Sequence, residues 1–191
     1  MDSEKLKEVL EKHSQWLRDG EGGERADLRY ADLSSANLSS ADLRSANLHY
    51  ANLSSADLRS ADLSSANLSY ADLRSANLSS ANLRDADLSS ADLRYANLSS
   101  ADLRSANLSS ADLSSANLSS AITDKRYIVL SCIGSRKDST IYCFEDDKIW
   151  CGCFTGTLDD FEQAVLKTHA DNSVWLKEYT GAIAYIRSLK S

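Results

Sequence analysis

The chain has 191 residues, enough for one or two domains, and carries 28 acidic against 21 basic side chains for a net charge of −7. No segment is basic enough to grip nucleic acid or anionic lipid, and no apolar run approaches the ~20 residues of a membrane span. Residues 26–121 contain no Gly, Pro, Cys, Met, Trp or Lys, while all three Trp and all four Cys lie in the flanks, which excludes one mixed globular domain.

The N-terminus shows no apolar stretch of the kind a secretory signal needs, so a soluble, cytoplasmic and reducing setting is expected, with thiols rather than disulfides. Residues 3–19 read as an amphipathic helix. Ser3 is its expected N-cap, Leu6, Val9, Leu10, His13 and Leu17 form one stripe bordered by Trp16, and Gly20 is the stop. His13 on that apolar stripe reads as a packed core residue rather than as a ligand or base. Residues 21–25, Glu-Gly-Gly-Glu-Arg, then turn the chain into the next segment.

From Ala26 the sequence repeats every five residues: Ala-Asp-Leu-Arg-Tyr, Ala-Asp-Leu-Ser-Ser, Ala-Asn-Leu-Ser-Ser, and so on to Ser120. All 19 units have Ala first, Asp or Asn second and Leu third. On an α-helix, at about 100° per residue, a five-residue step rotates Leu by a net ~140° and smears it over every face. On a straight strand an odd period sends successive Leu to opposite faces. The chain must therefore bend once per unit, giving a coil with flat sides, Leu and Ala inside, and Asp, Asn and Ser available to bond backbone at the corners.

Ala-(Asp/Asn)-Leu-x-x in tandem resembles the pentapeptide-repeat family. The resemblance implies a mainly β fold, a right-handed quadrilateral parallel β-helix with four repeats, hence 20 residues, per coil, and about 4.75 coils over residues 26–121 at ~4.8 Å each. A 20-residue coil stacks Tyr30, Tyr50 and Tyr70 in one column and moves Tyr95 to the next face. It also stacks Arg84 on Arg104 below Arg44, Arg74 on Arg94, and Asp72 on Asp92 and Asp112. The Tyr column reads either as an aromatic recognition strip or as a register device, and register is preferred because the outer faces otherwise offer mostly Ser and Arg. The uniformity of the inward positions resembles an idealised, consensus-type engineered array.

Residues 122–191 read as a small α+β cap with three strands and two helices. The strands are expected at Tyr127–Gly134, Ser139–Phe144 and Lys148–Phe154, the last two forming a hairpin around Asp146-Asp147 that pairs Cys143 with Trp150 and Tyr142 with Cys151. Thr157 and Ser173 are the expected N-caps of the helices. The segment from Trp150 to Leu158, with Thr168, His169 and the final helix, resembles C-terminal modules that follow pentapeptide coils, as residues 21–25 resemble their entry.

The one constellation that suggests chemistry is thiol and imidazole: Cys143, Cys151, Cys153 and His169 for zinc, or Cys151 or Cys153 with His169 for hydrolysis. The hairpin places Cys151 and Cys153 on one face and Cys143 on the other, and no oxyanion-hole motif accompanies them, so structural thiols are the preferred reading and no catalytic residue, metal or cofactor is expected. Two function classes remain: a non-catalytic scaffold, and the DNA-mimicking module that the family resemblance implies, which binds DNA gyrase or topoisomerase. Roughly 23 Å of duplex presents about 14 negative charges. Residues 26–121 carry 11 Asp against seven Arg, a poor match that favours the scaffold. No nucleic-acid, membrane or small-molecule partner is expected. The resemblance also implies a homodimer through the C-terminal segment, where Trp150 and Trp175 either form a patch or fill the core.

Overall fold

The computed structural model describes residues 1–18, 21–130, 140–152 and 154–190. The chain forms two compact units, one of Met1–Asp112 with Ala116–Asp124 and one of Leu113–Ser115 with Lys125–Ser191.

In the first unit α1 spans Ser3–Arg18. Its cap lies one residue earlier than expected: Lys5 N–H donates to the Asp2 carboxylate at 2.8 Å, which leaves Ser3 inside the first turn. The expected stop, Gly20, is outside the described residues. Leu6, Val9, Leu10 and Leu17 are half-buried, and His13 is fully buried. Two glycines then shape the entry. Gly22 has φ +70°, and a Cβ on Gly23 would sit 2.1 Å from the Trp16 backbone nitrogen, so only glycine allows this approach.

The coil follows from the five-residue period. The second residue of each unit makes a parallel bridge to the residue 20 positions later, from Asp27 with Asn47 through Asp102 with Ile122. Its N–H and C=O both point to the preceding level, as when Asn47 N–H donates to Ala26 O at 2.9 Å and Asn47 O accepts from Leu28 N–H at 2.7 Å. Ile122 continues the ladder two residues past the last full repeat. All 19 Leu are at most 8% exposed, and Ala46 through Ala101 at most 1%. Each corner is closed by a turn such as Ala31 N–H to Leu28 O at 3.1 Å. The residue before the new Ala always has positive φ, between 55° and 61° from Tyr30 to Ser120. Only the third turn position has positive φ, the type II pattern, and it holds Ser, Tyr or Asp where such turns usually have Gly.

In the second unit four antiparallel strands lie in the order β1 (Tyr127–Leu130), β2 (Thr140–Cys143), β3 (Lys148–Cys151) and β4 (Phe154–Gly156). The expected third strand is split in two: Gly152 has φ +59°, and Phe154 folds back to pair with Cys151. The β2–β3 hairpin is also wider than expected. Cys143 pairs with Lys148 and Thr140 with Cys151, leaving Phe144 to Asp147 as a four-residue loop. Side chains hold it open, with Tyr142 OH donating to Asp147 at 2.6 Å and Lys125 bonded to Asp146 at 2.7 Å. The slip is two residues, so each side chain keeps its face.

α2 (Leu158–Thr168) starts at the expected cap: Thr157 accepts from Asp160 N–H in a capping box. α3 (Ser173–Ser188) is capped by Asn172, whose side chain accepts from Trp175 N–H at 3.1 Å, one residue before the expected Ser173. Tyr142, Ile149, Phe161, Val165, Ile183 and Ile186 form the core of this unit.

Candidate functional site

The outer walls of the coil carry most of its chemical variety. Tyr30 and Tyr50 stack at 5.3 Å and 8°, and Tyr50 and Tyr70 at 4.9 Å and 20°, as a coil rise near 4.8 Å requires. Tyr30, Tyr50 and Tyr70 remain 70%, 46% and 51% exposed, but their ring faces are turned to one another. A stacking platform needs free faces, and only the two ends of this column have them. His49, one residue before Tyr50, meets Tyr50 edge-on at 4.4 Å and Tyr70 at 5.7 Å, with Nδ1 2.7 Å from Ser69 Oγ. Sequence reasoning missed His49, although it is the single His in the repeats and falls at the fourth position beside the Tyr column.

The second-position Asp and Asn act first within their own unit. Their Oδ1 accepts the N–H two residues on, as in Ser34 to Asp32 at 3.1 Å and Ser79 to Asn77 at 3.2 Å, an Asx turn that sets the corner. Six of the seven coil arginines follow Asp by two and close onto it with two hydrogen bonds, for example Arg59 to Asp57 at 2.8 and 2.6 Å. Hydrogen bonds from Arg29, Arg44, Arg59, Arg74 and Arg104 hold Asp27, Asp42, Asp57, Asp72 and Asp102 below the usual carboxylate range. The seventh, Arg84, follows Asn82 and forms no ion pair among the described residues.

The choice between Asp and Asn then has a rule. Asp stacks directly on Asp at three places, Asp42 on Asp62, Asp72 on Asp92 and Asp92 on Asp112. At each, an Arg reaches down from the upper unit: Arg44 to Asp62 at 4.0 Å, Arg74 to Asp92 at 3.7 Å and Arg94 to Asp112 at 3.7 Å. Where Asn lies below Asp, its amide donates upward at three of the five places, Asn52 to Asp32 at 3.2 Å and Asn82 to Asp62 and Asn107 to Asp87 at 3.0 Å.

The thiol and imidazole candidates lie in the second unit. Cys143 is buried, with Sγ 3.6 Å from an Asp146 carboxylate oxygen, and burial raises its pKa, the opposite of an activated nucleophile. Cys151 receives a hydrogen bond from Thr140 Oγ1 at 3.0 Å. Cys153 is outside the described residues. The His169 ring stacks on Tyr179 at 5.2 Å and meets Trp175 at 5.6 Å. Among the described residues no group of three or more His, Cys, Asp or Glu could hold a metal ion, and no helix is long and apolar enough to cross a membrane. Trp150 is buried, whereas Trp175 is 38% exposed.

These features define a tandem-repeat β-helix whose walls are built by Asx turns and whose interior is Leu and Ala. The family model for pentapeptide repeats matches eight copies over residues 24–59, 41–79, 56–94 and 81–119, half of the chain, and the chain belongs to that family. It accordingly folds as a right-handed quadrilateral β-helix, here with an N-terminal helix and a small C-terminal unit of strands and helices. Among solved structures it is similar to a pentapeptide repeat protein from the cyanobacterium Cyanothece 51142, with 39% identity, 49% of this chain and 60% of that one covered, and a TM-score of 0.36. It is also similar to HetL, a pentapeptide repeat protein involved in heterocyst differentiation regulation from Nostoc sp. strain PCC 7120, with 29% identity, 52% and 70% covered, and a TM-score of 0.40. A third is QnrB1, a plasmid-mediated fluoroquinolone resistance protein, with 23% identity, 51% and 66% covered, and a TM-score of 0.35. The match thus spans less than two thirds of the Cyanothece protein. No curated protein gave a significant match.

Proposed function

We propose that this chain is a non-catalytic scaffold, a consensus-type array of engineered origin whose repeats specify a stable coil and whose walls were not shaped for a ligand. The observation that carries this reading is the self-pairing of the walls. Each direct Asp-on-Asp stack is bridged by an Arg, and six of seven coil arginines are held by the Asp two residues before them. A surface selected to meet a basic groove would leave carboxylates unpaired, because binding energy comes from charges that the partner neutralises. The Tyr column belongs to the same reading as a register device. The thiols and His169 have structural roles in it.

A gyrase- or topoisomerase-binding DNA mimic is the competing reading, and a supercoiling assay separates the two. The scaffold leaves gyrase-catalysed supercoiling unchanged at micromolar protein; inhibition at submicromolar protein overturns it. A homodimer through the C-terminal unit is part of the proposal, supported by Val174 and Tyr185, which are 63% and 50% exposed on one side of α3. Light scattering over a range of concentrations tests it, and a mass fixed at 20.9 kDa rejects it.

A further inference from the structure

The backbone holds the three tyrosines of the column alike. Tyr30, Tyr50 and Tyr70 have φ of 58°, 58° and 59°. Each N–H donates to a carbonyl one level on: Tyr30 to His49 O at 3.0 Å, Tyr50 to Ser69 O at 3.1 Å and Tyr70 to Ser89 O at 2.9 Å. Side chains that leave the same turn in the same conformation point the same way. The rings are therefore near-parallel, and corresponding ring carbons of neighbours lie beside one another across the one-level gap.

His49 braces the column from one side. It meets Tyr50 edge-on at 4.4 Å, Tyr70 at 5.7 Å and Tyr30 at 6.2 Å, and is itself anchored by Ser69 Oγ at 2.7 Å. Tyr50 and Tyr70 are thus both the closer stacked pair and the more firmly held one. Tyr50 has a tyrosine ring on each face, which is true of no other tyrosine among the described residues.

Phenols so placed have a reaction open to them that a lone phenol lacks, because two phenoxyl radicals combine carbon to carbon when they meet. A partner held alongside acts like one present at very high concentration. Tyr95 and Tyr185 are 62% and 50% exposed, as open to an oxidant as the column, but neither has a tyrosine neighbour among the described residues. They can couple only with a second molecule.

We propose that Tyr50 is an oxidative cross-linking site, joined within the chain to a column neighbour, chiefly Tyr70, as dityrosine when the protein meets a haem peroxidase and hydrogen peroxide. The peroxidase takes one electron from each of two phenols, and each phenol releases its hydroxyl proton. The two unpaired electrons form a carbon–carbon bond between the ring positions ortho to the oxygens. Each of those carbons gives up its hydrogen as a proton while its oxygen takes one up, which restores both phenols. The two electrons and two protons removed reduce one hydrogen peroxide to two waters, so the chain loses two hydrogens. The link ties one level of the coil to the next. It follows from the spacing of the column and does not rest on the scaffold reading.

The test treats the full chain at micromolar concentration with a haem peroxidase and stoichiometric peroxide. Protein of single-chain mass is then isolated, unfolded in urea, digested with trypsin and examined by mass spectrometry. Cleavage after Arg29, Arg44, Arg59 and Arg74 puts Tyr30, Tyr50 and Tyr70 on separate peptides, residues 30–44, 45–59 and 60–74. The expected product is peptide 45–59 joined to 60–74, two hydrogens lighter than their sum, with the blue fluorescence of dityrosine and a yield per chain that does not change on dilution. Tyr50→Phe keeps a ring in the stack but has no hydroxyl to oxidise, and should lower the within-chain yield at least tenfold. Tyr95→Phe should match the parent. Links confined to Tyr95 or Tyr185, a yield per chain that falls in proportion on dilution, or an undiminished yield in Tyr50→Phe overturns the proposal.

Discussion

Ser60 carries the conformational cost of the coil in its simplest form. It is exposed, has φ 55°, and sits where Gly or Asn would be at ease. An L-residue held in the left-handed region costs roughly 1–2 kcal/mol, and a β-branched side chain is worse there than an unbranched one. Ser60→Asn should therefore raise the urea midpoint, by about 0.5 kcal/mol of stability, and Ser60→Val should lower it by about 1–2 kcal/mol. Equal midpoints for the two variants would show that corner strain is not what limits this position. His13 gives a second residue-scale expectation. Burial pushes its pKa below the ordinary value, opposed by Asp42, with Arg25 and Arg44 also nearby, and Nδ1 must stay unprotonated to accept from Ala26 N–H. A histidine with a lowered folded-state pKa binds fewer protons folded than unfolded, so its contribution is complete above about pH 6.5 and falls as the pH drops through that value toward the folded-state pKa. Unfolding measured from pH 8 to pH 5 should show a loss of stability below 6.5 that is flatter in His13→Leu, even though that variant starts lower for want of an acceptor for Ala26.

At the scale of elements, the Tyr column and the lone Tyr95 form a built-in comparison. Tyr50 stacks on a ring above and a ring below, whereas Tyr95 is 62% exposed with no ring contact among the described residues. Aromatic pairs contribute about 0.5–1.5 kcal/mol each beyond burial. Tyr50→Ser should thus cost about 1–2 kcal/mol in equilibrium unfolding, while Tyr95→Ser should stay within about 0.5 kcal/mol of the parent. The column itself was legible in the sequence, since Tyr30, Tyr50 and Tyr70 fall 20 apart, and so were the inward Leu and Ala. The corner conformation was not, because Ser at the fifth position signals a hydroxyl that can bond backbone and gives no sign of the positive φ it must adopt. The thiol and imidazole candidates could be listed from the sequence, but His169 is positioned by Tyr179 and Trp175 on α3, which spacing does not reveal. The width of the β2–β3 loop depends on Asp147, held by Tyr142 and by Lys190, 43 residues away. The seating of His13 on Ala26 depends on how a helix lies across a coil edge, and no local pattern encodes that.

For the coil as a whole, charge is organised by stacking rather than by composition. Eleven Asp and seven Arg describe a mildly acidic segment, but the placement of Arg44, Arg74 and Arg94 matters more than the total, because each bridges two carboxylates one coil apart. Arg74→Ser with Arg94→Ser would remove the two arginines that bridge Asp72, Asp92 and Asp112, like charges held in register by a backbone that cannot move them apart. Repulsion between partly exposed charges is screened by salt, and the Debye length shrinks from ~30 Å at 0.01 M to ~3 Å at 1 M. The double variant should unfold at a lower temperature than the parent in 0.01 M salt, and the gap should narrow strongly at 1 M. Arg29→Ser with Arg59→Ser removes the same charge where Asn lies beneath each Asp, and should show a smaller gap and less salt dependence. If both pairs behave alike, only net charge matters, and the Asp and Asn alternation has some other cause. If they differ as expected, the walls of the coil are an internally compensated lattice, which is what separates a scaffold from a mimic of an unpaired polyanion.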